Sequence, residues 1–389
     1  MTITTPRPKV LSWGSNVEDK TLDDAAIAAS LACVPSHVAL MPDAHSGFGP
    51  PIGTVIPTLG AIIPYAIGVD IGCGMIATET DLTASDLPDS LHSLMPLIEQ
   101  RIPAGVGKQF AGPSQPDEYT AFEQVGMPAT ELTAKQEATT TAQFGTLGSG
   151  NHFVEVCLDE SDRVWLVLHS GSRGIGNQLA QRAVTEAKGL MRRWFIDLPD
   201  PNLAYLAQGT PEFEHYIADM LWAQRYAFGS RQAMMNAAER SLFEVAGRGV
   251  VKRTINCHHN FAQMEHHHNR DMWITRKGAI KASVGDLGVI PGSMGTCSYI
   301  VEGLGNPASY NSCSHGAGRR MSRKRARQEL TVESFREAMG DREWLSGKAE
   351  QLLDEHPSSY KDIQQVMADQ VDLVRPLHTL RQVFNYKGI

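Results

Sequence analysis

Along the chain, short apolar or β-branched runs interleave with stretches whose apolar residues recur at helical spacing. His37–Met41, Met75–Thr80, His152–Leu158 and Arg163–His169 are bounded by Gly, Pro and Asp. They predict strands, because branched and aromatic side chains fit a pleated surface and the boundary residues end it. Asp89–Ile102 and Gly176–Phe195 show the helical spacing and predict helices. Pro211–Val245, rich in Ala, Met, Leu, Glu and Arg, predicts one long helix or a helical hairpin. No repeat, low-complexity tract or interdomain linker breaks the mixture. The expected fold class is α+β, with residues 1–389 forming a single domain.

Between these runs lie polar segments in which Asp, His, Cys, Ser or Asn stands beside glycines at the edge of an apolar stretch. They are Met41-Pro-Asp-Ala-His-Ser-Gly-Phe-Gly, Gly68-Val-Asp-Ile-Gly-Cys-Gly-Met, Gly148-Ser-Gly-Asn-His-Phe, Leu168-His-Ser-Gly-Ser-Arg-Gly, Cys257-His-His-Asn, Pro291-Gly-Ser-Met-Gly-Thr and Ser314-His-Gly-Ala-Gly-Arg. Loops carried on a rigid sheet are where site residues collect, so their recurrence predicts a composite active site.

Asp70 and Cys73 lie three apart in a glycine-punctuated turn, and His152, His169 and His259 each sit at the edge of a strand-like run. Carboxylate, thiolate and imidazole together suit a borderline divalent metal such as manganese, zinc or cobalt, and a thiolate can bridge two of them. A lone His or Cys is more often a packed structural residue. Of the five histidines between His258 and His268, most are therefore expected not to be ligands, with His266–His268 a solvated loop.

The common nucleotide signatures are missing: there is no GxxxxGK[ST] loop, no strand–GxGxxG–helix unit and no Lys-x-Asp-Gly motif. A nucleophile for covalent nucleotide activation would have to be something other than that lysine. A neutral imidazole is competent, and His315, followed by the small Gly316, Ala317 and Gly318, leaves room for a phosphate.

Composition, 42% hydrophobic and 20% charged, is that of a globular chain, and the N-terminal residues lack an apolar stretch of signal-peptide length. The six cysteines form no CxxC pair, which argues against a disulfide framework or a zinc knuckle. A cytoplasmic protein without membrane contact is expected. The net charge of −8 excludes whole-molecule attraction to nucleic acid, so any RNA contact needs a local basic patch. Arg319–Arg327 supplies six cations in nine residues, as an RNA contact or simply as a solvated helix face.

GVDIGCGM, GSGNHFVE, LHSGSRG, CHHN, PGSMGT, SHGAGR and a C-terminal YKG, occurring in this order from about Met41 to Lys387, resemble the RtcB family of RNA ligases. The resemblance implies a fold of its own, α+β with a deep metal- and nucleotide-binding cleft. It implies two manganese ions, one held by Asp70, Cys73 and His152 and the other by Cys73, His169 and His259, with Cys73 as the bridge. His315 would attack the α-phosphate of GTP. Asn151, Glu155 and Asn260 would orient phosphates or the leaving group, while Ser293, Ser298, Tyr360 and Lys387 hold the guanosine and Gly316–Gly318 line its approach. The implied reaction joins an RNA 3′-phosphate or 2′,3′-cyclic phosphate to a 5′-hydroxyl. Arg173, Arg319, Arg320 and Arg323 are the expected RNA contacts, and some family members need an activating protein partner.

Two rival readings use the same residues. A dinuclear phosphoesterase would keep the metal ligands without a guanosine pocket. A non-catalytic RNA-binding repair protein would need only the basic segment.

Overall fold

Alternation within the apolar runs sorts side chains onto the two faces of a sheet. Ile76, Val154, Val156, Leu166 and Leu168 pack on one side, and Met75, Ala77, Phe153, Cys157, Trp165 and Val167 on the other. The computed structural model describes residues 4–110 and 122–389. In it these runs are the strands Gly74–Thr83, Phe153–Leu158 and Arg163–Ser170. They are covered on both faces, which explains why they read as nearly continuous apolar runs.

The larger sheet runs Val251–His258, Gly74–Thr83, Arg163–Ser170, Phe153–Leu158, Val374–Lys387, Ser298–Gly303, Leu287–Ile290, with Glu343–Trp344 added parallel to the strand Val374–Lys387. That C-terminal strand spans two partners: Val374–Leu380 pairs with Ser298–Gly303, and Arg381–Lys387 with Phe153–Leu158. A second sheet has the order Thr4–Arg7, Val10–Ser12, Val38–His45, Ile52–Thr58, Arg270–Lys277, Asn260–His267. The fold class is α+β, as expected.

Pro211–Ala246 is one helix of 36 residues, not a hairpin. Thr210 caps it by accepting from Phe213 N, Pro211 follows at the position where a missing N–H costs nothing, and Gly247 ends it at φ +71°. Its Met234, Met235, Ala238 and Leu242 cover the sheet face that carries Ile76 and Val154. The helix expected over Asp89–Ile102 begins only at Leu94. Pro96 is the reason: without an N–H it is tolerated in a first turn, so the helix cannot start well upstream of it. The helix expected at Gly176–Phe195 runs Arg173–Arg193.

Two expected loops are ordered differently. Met41–His45 is the end of the strand Val38–His45 rather than loop. His266 and His267 belong to the strand Asn260–His267, and His267 is buried against Glu265 Oε2 at 3.0 Å; His266 is solvated but not in a loop, and of the three histidines His268 alone is exposed in the turn beyond. Among the described residues no helix is long and apolar enough to cross a membrane.

Candidate active site

Strand polarity assembles the site. Cys73 and His152 immediately precede strands, whereas His169 and His259 stand at or just past the ends of strands running the opposite way. The register Gly74↔His258, Gly74↔Ser170 and Phe153↔His169 brings all four to one end of the larger sheet, in the order His259, Cys73, His169, His152. Cys73 Sγ lies 3.2 Å from His169 Nε2 and 3.6 Å from His152 Nε2. His169 Nε2 is 3.3 Å from His259 Nε2, and His152 Nε2 is 3.2 Å from Asp70 Oδ2. The donor atoms of Cys73, His152 and His169 all fall within 4.8 Å of one another, a buried candidate metal cluster.

Surrounding contacts aim these donors. His152 Nδ1 contacts Leu147 O at 2.8 Å and His169 Nδ1 contacts Asn151 O at 3.1 Å, so both rings turn Nε2 inward. Asp70 Oδ1 accepts from Ser172 N, and Gly171 is required beside it, because a Cβ there would stand 2.2 Å from the carboxylate. The fully buried Arg231 of the long helix donates to Gly72 O, Ser170 O and Asn256 Oδ1 and lies 3.1 Å from His258 Nδ1. One guanidinium thus ties together the three segments that carry Cys73, His169 and His259. His258 is a structural histidine in this network.

Burial drives the His169 and His259 imidazoles well below the usual histidine range, leaving them neutral with lone pairs available. Burial also pushes the Asp70 carboxyl up, but the His152 ring and the other hydrogen bonds outweigh it and hold the group below its ordinary value. Burial and then the Asp70 charge push the Cys73 thiol well up, with Arg231 opposing. A dication would displace that proton, so metal loading releases acid. One carboxylate, one thiol and three imidazoles converging on one end of the sheet, with Cys73, His152 and His169 buried at its centre, fit a borderline divalent ion.

The cluster opens onto a cleft of about 290 Å³ whose wall includes His169, His259 and His315. His315 follows the short strand Ser312–Ser314, which pairs with Ala279–Lys281, and Ala279 N donates to His259 O. Its ring is 4.9 Å from that of His259. His315 Nδ1 makes a bent contact at 2.6 Å with Asp43 Oδ2, the oxygen that also accepts from His315 N and Gly316 N.

Of the other residues singled out from the sequence, Asn151, Glu155, Ser293, Gly316, Ala317, Gly318, Tyr360, Lys387, Arg319 and Arg323 line the same cleft. Asn260 and Ser298 do not. Asn260 Nδ2 donates to Asp70 O and its Oδ1 accepts from Gly278 N, which makes it a brace between two site loops. Ser298 is fully buried at the start of a strand, its hydroxyl without a partner. Arg173 lies behind the Gly148 turn, donating to Thr146 Oγ1. Arg320 donates to Ser358 O on a neighbouring groove that also contains Lys361.

The basic segment is not a freely solvated face. Arg323 and Arg327 each reach Asp354, at 2.6 and 2.7 Å, Arg323 also meets Glu355 at 2.6 Å, and Arg319 lies 3.5 Å from Glu355. Buried Glu355 further binds Lys387 Nζ at 2.8 Å and accepts from the Tyr360 hydroxyl at 2.7 Å. Asp43, Glu355 and Arg231 carry this architecture, and the sequence reading assigned a role to none of them. Only Asp43 had a signal, its place in the Met41–Gly49 segment.

Glu155 is a buried carboxyl that accepts a hydrogen bond from Asn385 Nδ2, at 2.6 Å. Burial pushes it up to about 8, against the opposing pull of Lys387. Because the folded value exceeds the unfolded one, the fold binds the extra proton and stability falls as pH rises from the ordinary carboxylate range to about 8. Glu155→Gln removes that penalty. Its melting temperature relative to wild type should climb from pH 5 to pH 8 and level off above, in thermal melts of metal-free protein; a constant offset would contradict the assignment.

The chain matches the family described as "tRNA-splicing ligase RtcB" over residues 24–388. It is 42% identical to the "RNA-splicing ligase RtcB" of Escherichia coli K12, with 99% of each chain covered. It is also 31% identical to the "RNA-splicing ligase RtcB" of Mycobacterium tuberculosis, over 84% of this chain and 90% of that one. The "tRNA-splicing ligase RtcB" of the archaeon Aeropyrum pernix is 30% identical over 95% of this chain and 92% of its own. The chain therefore belongs to the RtcB family and is an RNA ligase.

Proposed function

We propose that this single-domain ligase uses GTP and manganese to join an RNA 3′-phosphate, or a 2′,3′-cyclic phosphate once hydrolysed, to a 5′-hydroxyl through a guanylyl-histidine. The observation that carries the reading is His315 on the wall of the cleft, its Nδ1 beside Asp43 and its ring beside His259. Contact at Nδ1 leaves Nε2 as the nitrogen available to phosphorus. In the first step Nε2 bonds to the α-phosphorus of GTP as the bond to the bridging oxygen breaks and pyrophosphate leaves. An oxygen of the RNA 3′-phosphate then displaces His315 from that phosphorus. In the last step the 5′-hydroxyl attacks the RNA phosphorus and expels GMP, which leaves far more readily than oxide would from a phosphate monoester.

Asp70, Cys73 and His152 would hold one manganese and Cys73, His169 and His259 the other. Two such ions supply charge neutralisation for the transferring phosphoryl group. Lys387, Tyr360 and Ser293, on the cleft wall, would hold the guanosine, with Asn151 and Glu155 toward the phosphates or the leaving group. The carboxylate of Asp43, beside Nδ1, offsets the charge the ring gains as Nε2 bonds phosphorus. Asp43→Asn should slow guanylylation by roughly a hundredfold or more at saturating GTP with little change in GTP KM, by analogy with the orienting aspartate of hydrolase triads. Pre-steady-state labelling would reveal this, and an unchanged rate would remove Asp43 from the mechanism. Six free cysteines suit work in the reducing cytoplasm.

Incubation with α-labelled GTP and manganese, denaturing electrophoresis and peptide mapping test the reading. Label on the His315 peptide supports it. Fully metal-loaded protein that takes no label, even with an activating partner supplied, would favour a phosphoesterase.

A further inference from the structure

Between His45 and Ile52, both of which line the cleft, the chain forms a rim loop with Phe48 at its tip, 82% exposed. Leaving a phenylalanine ring in water forgoes what burial would return, and a slack loop would fold it back. This loop is not slack. Lys277 Nζ donates to Phe48 O at 2.6 Å and to Pro50 O at 2.8 Å, pinning the backbone on either side of Gly49. Gly49 has φ +65° and abuts Tyr65, so closely that a Cβ would come within 2.6 Å of the Tyr65 ring. Lys277 itself sits 5.3 Å from the centre of that ring. Backbone anchoring thus holds the phenylalanine side chain outward.

The anchor is tied to the nucleophile. Residue Gly278, next after Lys277, packs so tightly that a Cβ there would lie 2.4 Å from Ile52 Cγ2 and 3.0 Å from His315 Cε1. A phosphate brought to His315 therefore lies beside Gly278 and Ile52, the residues at the foot of this loop. Elsewhere the wall carries His45, Arg319, Arg323 and Gly316–Gly318, with Phe153 and Tyr360 as aromatic residues of the lining.

We propose that Phe48 stacks the terminal nucleobase of the RNA strand that carries the 3′-phosphate, holding that end over His315 without reading its sequence. Every base offers a π face to an aromatic ring, and such contacts withstand a change of base. The proposal rests on His315 as the guanylylated residue, since that is what brings the 3′-phosphate to this rim.

The test measures ligation at saturating GTP while the 3′-phosphate strand is varied. Phe48→Ala should raise KM for that strand about tenfold with kcat and GMP labelling nearly unchanged, and Phe48→Tyr should restore it. An abasic last nucleotide on the same strand should raise the wild-type KM by a similar factor and cost Phe48→Ala nothing further. Tryptophan emission from Phe48→Trp should be quenched by 3′-phosphate RNA, and less by the abasic strand. Unchanged KM in Phe48→Ala, penalties that multiply with the abasic lesion, or sensitivity only to a lesion at the 5′-hydroxyl end would each overturn the proposal. Absence of GMP label on the wild-type chain would overturn the His315 reading instead, and the emission measurement would still decide Phe48.

Discussion

His315→Ala is expected to take no GMP label and to ligate nothing, while still binding RNA and manganese. The residue is not among the proposed metal ligands, and its removal deletes the nitrogen that bonds phosphorus without touching Cys73, His169 or His259. The loss should be essentially complete, because neighbouring nucleophiles on the cleft wall are engaged elsewhere: His259 is aimed at the metal cluster and Lys387 Nζ is paired with Glu355 Oε2 at 2.8 Å. A supplied RNA that already carries a 3′-guanylate bypasses the missing step, so this variant should still seal it. Persistent labelling would show that another residue is the nucleophile. Failure on the preactivated RNA, with metal content intact, would show that His315 also acts in sealing.

Cys73→Ala should lose both metal ions and all ligation. Its sulfur lies between His169 and His152, and without it neither proposed ion keeps three protein ligands. The fold itself should survive, since an uncharged buried thiol behaves as a small apolar group and its replacement removes one atom. Elemental analysis of the purified variant, set beside its circular dichroism and melting curve, separates the two effects. A variant retaining two ions per chain would rule out a bridging thiolate. One that retains a single ion would mean that Cys73 serves one site only.

The strands that carry the ligands were legible in the sequence because their faces alternate within apolar runs, as in Met75–Thr80 and Arg163–His169, and glycine-flanked Asp70, Cys73 and His315 announced themselves as site residues. Asp43 was harder. It sits inside a strand whose sequence, Met41-Pro-Asp-Ala-His, looks like a loop, and its partner lies 272 residues away in the chain. Long-range pairing of that kind leaves no periodicity to read. The same blindness applied to the acidic residues Asp354 and Glu355: Arg319–Arg327 read as a patch open to solvent or RNA because nothing local signalled the carboxylates packed beneath it. His267 failed for a related reason, since its partner Glu265 is held by Arg276 of a neighbouring strand. Local patterns exposed the elements and the chemistry-bearing loops; charge compensation, being tertiary, stayed hidden.

The C-terminal strand Val374–Lys387 lies inside the larger sheet, joining Phe153–Leu158 to Ser298–Gly303, and delivers Lys387 to the cleft. During synthesis those two partners must wait, with open hydrogen-bonding edges, until Val374–Lys387 leaves the ribosome. Chains released early would therefore present unsatisfied β-edges as well as an incomplete pocket, marking unfinished product for aggregation or degradation before it could bind nucleotide. Synthesis through Lys387 becomes a condition for activity, enforced by geometry alone.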